Sequence, residues 1–341
     1  MTDGMVSIII PVFNRYELVK IMIDSIVVQT YKNWELLLVD DGSTDGTVLK
    51  IEDYIKDKEK IFLIKRDREE KGAPVCRNIG LKKAMGEYIV FFDSDDVVSD
   101  ICLEQRVAYL KAHNNLDAAV FPARHFQKSI NEKDGLLNGI PIFKDDLAEF
   151  LNSNLPYIVW NVIFRKKSLI EAQVFWDEKL LSLQDADFNI QCIIKGLHIG
   201  YAVNPQVDYF ARAENNNSIS AAIFKQSRFD SHLYFVEKQF QSLSSLGKRK
   251  YHKDLYSRLV YTYLLMAVNY SEDHVKKLVD LARKYNCNRK KFTALVKFHH
   301  FLVKNVGLNV NIANDIAFPL FVLTKRRSSY RRKQFNTMYF K

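Results

Sequence analysis

Three groups of oxygen-bearing side chains sit where chemistry needs them, directly after apolar runs or at the start of a helical pattern. The first is Asp93-Ser94-Asp95, which follows the apolar segment Tyr88–Phe92. Side chains alternate along an extended chain, so the two carboxylates lie on one side and can face a single hard cation. Mg²⁺ or Mn²⁺ prefers oxygen ligands and keeps positions open for water and phosphate oxygens, which suits a nucleoside diphosphate. A cation there offsets the negative charge that grows on a departing diphosphate. The same three residues also suit an acidic loop at the start of a helix over 101–114. The second group is Asp40-Asp41-Gly42-Ser43-Thr44-Asp45-Gly46. It reads as a turn with Asp45 near a helix start, where an acid favours the dipole. It equally allows Asp41 to accept a pyrimidine ring N–H, with Asp40 structural and the glycines admitting close backbone approach. The third is Gln184-Asp185-Ala186-Asp187-Phe188, which leads into a helical pattern over Asn189–Lys195 and places Asp185 where an acid caps a helix.

The elements that must position these groups are legible as alternating patterns. Val6–Ile10 is a short β-branched run stopped by Pro11, the signature of a buried parallel strand. Apolar residues at 18, 19, 21, 22, 23 and 26 mark a helix, and Glu35–Val39 a second strand. The alternation continues with a helix over Thr47–Ile55, a strand at Ile61–Ile64, a helix over Pro74–Met85 and a strand at Tyr88–Phe92. Such alternation predicts an α/β fold, a mostly parallel central sheet flanked by helices. In open sheets of this kind ligands collect beyond the carboxyl ends of the strands. Pro11-Val12-Phe13-Asn14, Asp40-Asp41 and Asp93-Ser94-Asp95-Asp96 should therefore converge on one rim. Farther on, a helix over Ile101–Asn114 and a strand at Ala118–Phe121 precede a loop-rich stretch to Pro156. Helical, aromatic and basic sequence takes over after about Ser220, giving a domain over 1–220, with halves 1–100 and 101–220, and a basic helical region over 221–341.

Bulk properties narrow the class. The 341 residues contain 12 Gly and 7 Pro and are 48% hydrophobic, as expected of an ordered globular chain. The net charge of +10 is unevenly shared. Residues 1–100 carry 14 Lys/Arg against 19 Asp/Glu, residues 101–220 carry 12 against 14, and residues 221–341 carry 24 against 7. The motif-bearing part is thus acidic, the reverse of a nucleic-acid binder. Cys76, Cys102, Cys192 and Cys287 form no C-x-x-C, nothing before Val6 resembles the apolar region of a secretory leader, and no apolar run is long enough to span a bilayer. Reduced thiols in a cytoplasmic protein are expected. The histidines show no metal spacing.

Taken together, Ser7-Ile8-Ile9-Ile10-Pro11-Val12-Phe13-Asn14, Val39 through Asp45, Ala73 through Gly80 with Arg77-Asn78, Gly86-Glu87-Tyr88-Ile89 and Asp93-Ser94-Asp95-Asp96 resemble the family 2 glycosyltransferases of the GT-A fold, of bacterial surface-polysaccharide type. The resemblance is tight over residues 5–100 and looser to about 220. It implies a Rossmann-like sheet with a C-terminal helical extension, a nucleotide-sugar donor that is commonly a UDP-sugar, Mg²⁺ or Mn²⁺, and inversion at the anomeric carbon. By position it implies that Pro11, Val12 and Asn14 flank the nucleotide and that Asp41 contacts the base. Arg77 lies near base or phosphates, Asp93 and Ser94 line the donor, Asp95 with Asp93 holds the metal, and Asp96 is supportive. A Glu-Asp pair in the family supplies the base; Gln184 departs from it, and Asp185 keeps the carboxylate. Tyr209-Phe210-Ala211-Arg212 with Asn217–Ser220 resembles a segment closing over the diphosphate, where Arg212 adds a charge-assisted contact. Trp160 is either a core residue or a neighbour of the acceptor sugar.

Lys325-Arg326-Arg327 and Arg331-Arg332-Lys333, interleaved with Tyr330, Phe335, Tyr339 and Phe340, suit an anionic membrane surface, or a solvated basic face or homo-oligomer contact. The expected partners are a nucleotide-sugar donor, a glycan or lipid-linked acceptor and that surface, reached peripherally from the cytoplasmic side of the cell membrane. Two rivals remain. A nucleotidyltransferase shares carboxylate-bound metal on an α/β sheet, but there is no Gly-rich phosphate loop near the N-terminus. A non-catalytic nucleotide-sugar-binding module would lack the metal or base carboxylates, and Asp95 and Asp185 are both present.

Overall fold

The computed structural model describes residues 2–127, 129–131, 137–152, 154–213, 226–266, 272–285 and 289–321. Asn217–Ser220, Cys287 and the basic segment 325–341 lie outside the described residues. The element order begins β1 (Thr2–Val12), α1 (Tyr16–Val27), β2 (Trp34–Asp40), α2 (Thr47–Ile55), β3 (Ile61–Lys65), α3 (Ala73–Lys83) and β4 (Gly86–Phe91). Then come β5 (Val97–Val98), α4 (Cys102–Ala112), β6 (Ala118–Val120), β7 (Ala123–Phe126), β8 (Leu137–Asn138), α5 (Asp146–Leu151), β9 (Val162–Arg165), α6 (Lys166–Glu171), α7 (Gln184–Ile194), β10 (Ile199–Tyr201) and β11 (Tyr209–Arg212).

The central sheet has seven strands in the order β10-β6-β9-β4-β1-β2-β3, with β1, β2, β3 and β4 parallel to their neighbours among themselves. Trp34–Asp40 is buried at every position, as a strand covered on both faces requires. Pairing Val12 with Asp40 and Ile9 with Phe91 brings the carboxyl ends of β1, β2 and β4 side by side, as the sequence predicts. Neighbouring strands lie about 4.8 Å apart, so the residues after them share one rim. The loop-rich stretch expected before Pro156 instead contains β7, β8 and α5. A strand absent from the sequence reading, β9, runs antiparallel between β4 and β6. A second sheet, β5-β11-β7-β8, carries β11 past the loop after β4.

The chain divides into two compact units, one of residues 1–150 and 155–222, the other of residues 151–154 and 223–341. The second unit contains α8 (Gln226–Ser245), α9 (His252–Met266), α10 (Glu272–Lys284), α11 (Arg289–Lys304) and α12 (Val310–Phe321). Among the described residues no helix is long and apolar enough to cross a membrane. Cys76, Cys102 and Cys192 are free and buried, and burial pushes all three thiols up.

Candidate active site

At the end of β1, Asn14 takes the left-handed conformation at φ 49°, which Asn tolerates better than most residues. Its amide donates to Ser43 Oγ at 2.9 Å and its Oδ1 accepts from the Thr44 amide at 2.8 Å, fastening the first loop to the second. Val12 lies in the core, so its side chain faces away from the rim and only its backbone is on the ligand side. The Val12 carbonyl accepts the Asp41 amide at 2.8 Å.

After β2 the two aspartates divide their work. Asp40 is buried and folds back to accept the Gly42 and Ser43 amides at 2.9 and 3.1 Å, an Asx-type turn. Asp41 points the other way. Its carboxylate accepts the Gly72 amide at 2.9 Å and pairs with Arg66 Nε at 3.0 Å, while Arg66 Nη2 donates to the Asp41 carbonyl at 3.2 Å. Gly72 serves here because φ is 116°, a conformation other residues rarely adopt, and Pro74 opens α3 two residues later. Arg66 is a site residue that no sequence pattern announced.

The Asp93–Asp96 loop is held from several directions. Arg77 on α3, nearly fully buried, donates from Nη2 to Asp93 Oδ1 at 2.6 Å and lies over the Trp176 ring at 4.4 Å. Arg15 Nη1 donates to Asp95 Oδ2 at 3.1 Å. Arg212 Nε donates to the Asp95 carbonyl at 2.9 Å and its guanidinium stacks over Phe126 at 4.8 Å. Asp96 is the anchor. It accepts the Tyr209 hydroxyl at 2.6 Å and the Arg212 amide at 2.7 Å, and the Tyr209 oxygen accepts the Asp93 amide at 3.1 Å. Burial, then the Asp95 and Asp93 charges, pushes the Asp96 carboxyl well up. Asp95 is also raised, by burial and then the Asp93 charge, against the opposing Arg15 and Arg212. Ser94 between them is buried.

β11 is in turn fixed by a wholly buried pair just before it. Arg106 on α4 donates from Nε and Nη2 to Asp208 at 2.8 and 2.7 Å and from Nη1 to the Trp160 carbonyl at 2.9 Å. Trp160 stacks on Tyr209 with centroids 4.7 Å apart and planes 6° apart, a core position behind the loop. Between the two readings of Trp160, the structure places it in the core.

Asp185 comes from a separate part of the chain. It lies inside the first turn of α7, which starts five residues earlier than the apolar spacing indicates. The turn is entered through Leu183 at φ 62°, an unusual conformation for a bulky residue and a mark of local strain. Asp185 Oδ1 is buried without a hydrogen bond. Burial pushes its carboxyl up to about 6, Asp93 adds to the rise and Arg77 opposes it, so all three charges are felt in one place. Asn189, one helical turn on, is fully buried with neither amide atom hydrogen bonded. Trp176, stacked on Phe188 at 4.4 Å, ties α7 to α3 through its backbone, which exchanges two 2.9 Å hydrogen bonds with the Asn78 side chain. Glu178 completes the tie by accepting from Asn78 and Arg68, both at 2.7 Å.

The structure therefore brings Asn14, Asp41, Arg77, Asp93, Asp95, Arg212 and Asp185 to one end of the sheet and adds Arg15, Arg66 and Trp176. Among the described residues no three His, Cys, Asp or Glu side chains are arranged to hold a metal ion alone. Asp93 and Asp95 offer hard oxygens only, and Asp96 is committed to Tyr209 and Arg212. That donor set fits Mg²⁺ or Mn²⁺ whose remaining ligands come from a phosphate and water.

Residues 7–172 match the family described as Glycosyl transferase family 2. An uncharacterized glycosyltransferase of Rickettsia felis is 36% identical over 138 residues, covering 40% of this chain and 22% of its own. The Escherichia coli UDP-Glc:alpha-D-GlcNAc-diphosphoundecaprenol beta-1,3-glucosyltransferase WfgD is 38% identical over 114 residues, 33% of this chain and 44% of its own. The chain thus spans less than half the length of these curated relatives. Among solved structures, Staphylococcus aureus TarS 1-349 in complex with UDP-GlcNAc superposes with a TM-score of 0.63 at 18% identity, covering 98% of this chain and 93% of that one. The mannosyltransferase PcManGT from Pyrobaculum calidifontis, in complex with GDP-Man and Mn²⁺, gives 0.51 at 15% identity, covering 94% and 87%. At these identities the two structures establish a shared fold.

Proposed function

Because this chain belongs to glycosyltransferase family 2 through residues 7–172, we propose that it transfers a sugar from a nucleotide-sugar, a UDP-sugar, to an acceptor hydroxyl with inversion, in the building of a glycan or polysaccharide. The observation that carries the reading is the convergence of Asp41, Asp93 and Asp95 beyond three adjacent parallel strands, with the buried, unpaired oxygen of Asp185 entering from another element.

The roles follow from chemistry. Asp41, oriented by Arg66 and Gly72, accepts the ring N–H of the base. Arg15, Arg77 and Arg212 are bound to the carboxylate loop and become free to pair with diphosphate oxygens, for which guanidinium is suited. Asp93 and Asp95 would hold Mg²⁺ or Mn²⁺, which when bound neutralises charge on the leaving diphosphate. Asp185 takes the acceptor proton. A carboxyl at about 6 is ionised at neutral pH yet a far better base than an ordinary aspartate. Placing the base on an element other than the metal-side loop is what in-line inversion requires. Relatives named for UDP-Glc and UDP-GlcNAc support the donor class, and WfgD, named for a diphosphoundecaprenol acceptor, supports a lipid-linked one.

Thermal unfolding of wild type and Asp95→Ala with UDP-Glc or UDP-GlcNAc, with and without Mn²⁺, tests the reading. A ligand at a hundred times its dissociation constant stabilises by about 2.7 kcal/mol. Wild type should gain this with donor plus Mn²⁺ and Asp95→Ala should not; equal shifts in both proteins would remove the carboxylate loop from donor binding.

A further inference from the structure

Helix α12 is turned the wrong way for a helix surrounded by water. Its small residues Ala313 and Ala317 are fully buried, whereas Ile312, Ile316 and Leu320 are 52%, 38% and 61% exposed. Three large aliphatic residues at i, i+4 and i+8 form one stripe about 12 Å long. A water-facing helix puts such residues inward and polar ones outward. Scattered exposed aliphatics are ordinary, but an aligned row marks an interaction surface. Val306, in the bend between α11 and α12, is 51% exposed.

Charge says what covers the stripe. From Arg289 to Phe321 there are five Lys/Arg, namely Arg289, Lys290, Lys291, Lys297 and Lys304, against the single acid Asp315. Residues 322–341 add seven Lys/Arg and no acid. A second copy of this chain would set a region carrying 24 Lys/Arg and 7 Asp/Glu against its like. An anionic surface matches the field, and a surface with an accessible apolar layer matches the stripe.

We propose that the Ile312–Ile316–Leu320 face of α12 is a membrane-docking surface that inserts its aliphatic side chains into the headgroup–acyl boundary of an anionic lipid leaflet, with the surrounding lysines and arginines on the headgroups. The contact is peripheral and reversible, and it weakens as salt shortens the reach of surface charge.

Flotation of the full chain with vesicles of phosphatidylcholine alone or with 30% phosphatidylglycerol, at about 0.1 M salt, tests this. Wild type should float with the anionic vesicles and not the neutral ones. Ile312→Ser/Ile316→Ser/Leu320→Ser, at positions already exposed, should lower the bound fraction at least tenfold with unchanged circular dichroism and unchanged mass by light scattering. In Ile316→Trp the added indole should shift its emission to the blue on addition of anionic vesicles. Wild type remaining with the soluble fraction, or the triple variant floating as wild type does, overturns the proposal. So does a triple variant that loses an oligomer without losing flotation, since the stripe would then belong to a second copy. No sugar donor enters either measurement, so failure of the transfer chemistry leaves them unaffected.

Discussion

Asp185→Asn separates the chemistry of the site from its stability, because the same buried carboxylate governs both. Removing a positioned general base costs roughly 10²- to 10⁴-fold in rate, or about 3–5 kcal/mol of barrier. The variant should bind UDP-sugar as wild type does and lose transfer by that factor. The stability effect has the opposite sign. Burial raises this carboxyl from the ordinary 3.8 to about 6. The folded state therefore binds the proton more tightly than the unfolded chain. That preference stabilises the fold fully below the ordinary aspartate range and is lost as pH rises through about 6. Two units at 1.36 kcal/mol each amount to about 3 kcal/mol at most, which wild type forgoes at pH 8 and the neutral amide does not. Urea unfolding should find Asp185→Asn more stable than wild type at pH 8, with the difference closing between pH 6 and pH 4. Wild-type transfer should rise with pH through the same window. A variant that transfers sugar normally refutes the base assignment, and one whose stability difference is independent of pH refutes the desolvation of the Asp185 carboxyl, whose residue is half-buried and whose Oδ1 is buried without a hydrogen bond.

The supporting structure yields further expectations. Arg106→Ala leaves the Asp208 carboxylate buried without its two guanidinium hydrogen bonds and should cost about 3–5 kcal/mol in urea unfolding, whereas a loss under 1 kcal/mol would show that the pair is dispensable. Tyr209→Phe removes the donor to Asp96 and the acceptor of the Asp93 amide, and should cost about 1–3 kcal/mol and diminish the Mn²⁺-dependent donor shift. Arg66→Ala frees the Asp41 carboxylate from its ion pair, so affinity for UDP should fall while affinity for inorganic diphosphate stays the same, measured by calorimetry. Equal losses for both ligands would move Arg66 from the base to the phosphates.

The parts of this site that lie next to a strand were readable from sequence, and the parts that depend on distant partners were not. Val6–Ile10, Glu35–Val39 and Tyr88–Phe92 are mostly apolar because both faces of a parallel sheet are covered; the second and third run straight into Asp40-Asp41 and Asp93, and the first leads to Asn14. β9 carries no local signal because Val162–Arg165 is only four residues and its place between β4 and β6 depends on pairing Ile163 with Val90 and with Ala119, both far away in the chain. The first turn of α7 is not legible because Gln184-Asp185-Ala186-Asp187 has no apolar periodicity; the Gln184 side chain donates to the Leu180 carbonyl and the Asp187 amide to the Leu183 carbonyl instead. Arg15 and Arg66 carry no pattern at all, since an arginine in a polar loop gains its role only when a carboxylate from elsewhere folds against it.

The central claim is that the rim beyond β1, β2 and β4 holds a nucleoside diphosphate over a carboxylate-bound divalent cation. A crystal structure with UDP and Mn²⁺ tests it most directly. The uracil should lie against Asp41, the diphosphate among Arg15, Arg77 and Arg212, and the Mn²⁺ on Asp95 or Asp93. UDP seated away from this rim, or Mn²⁺ on other residues, would contradict the account.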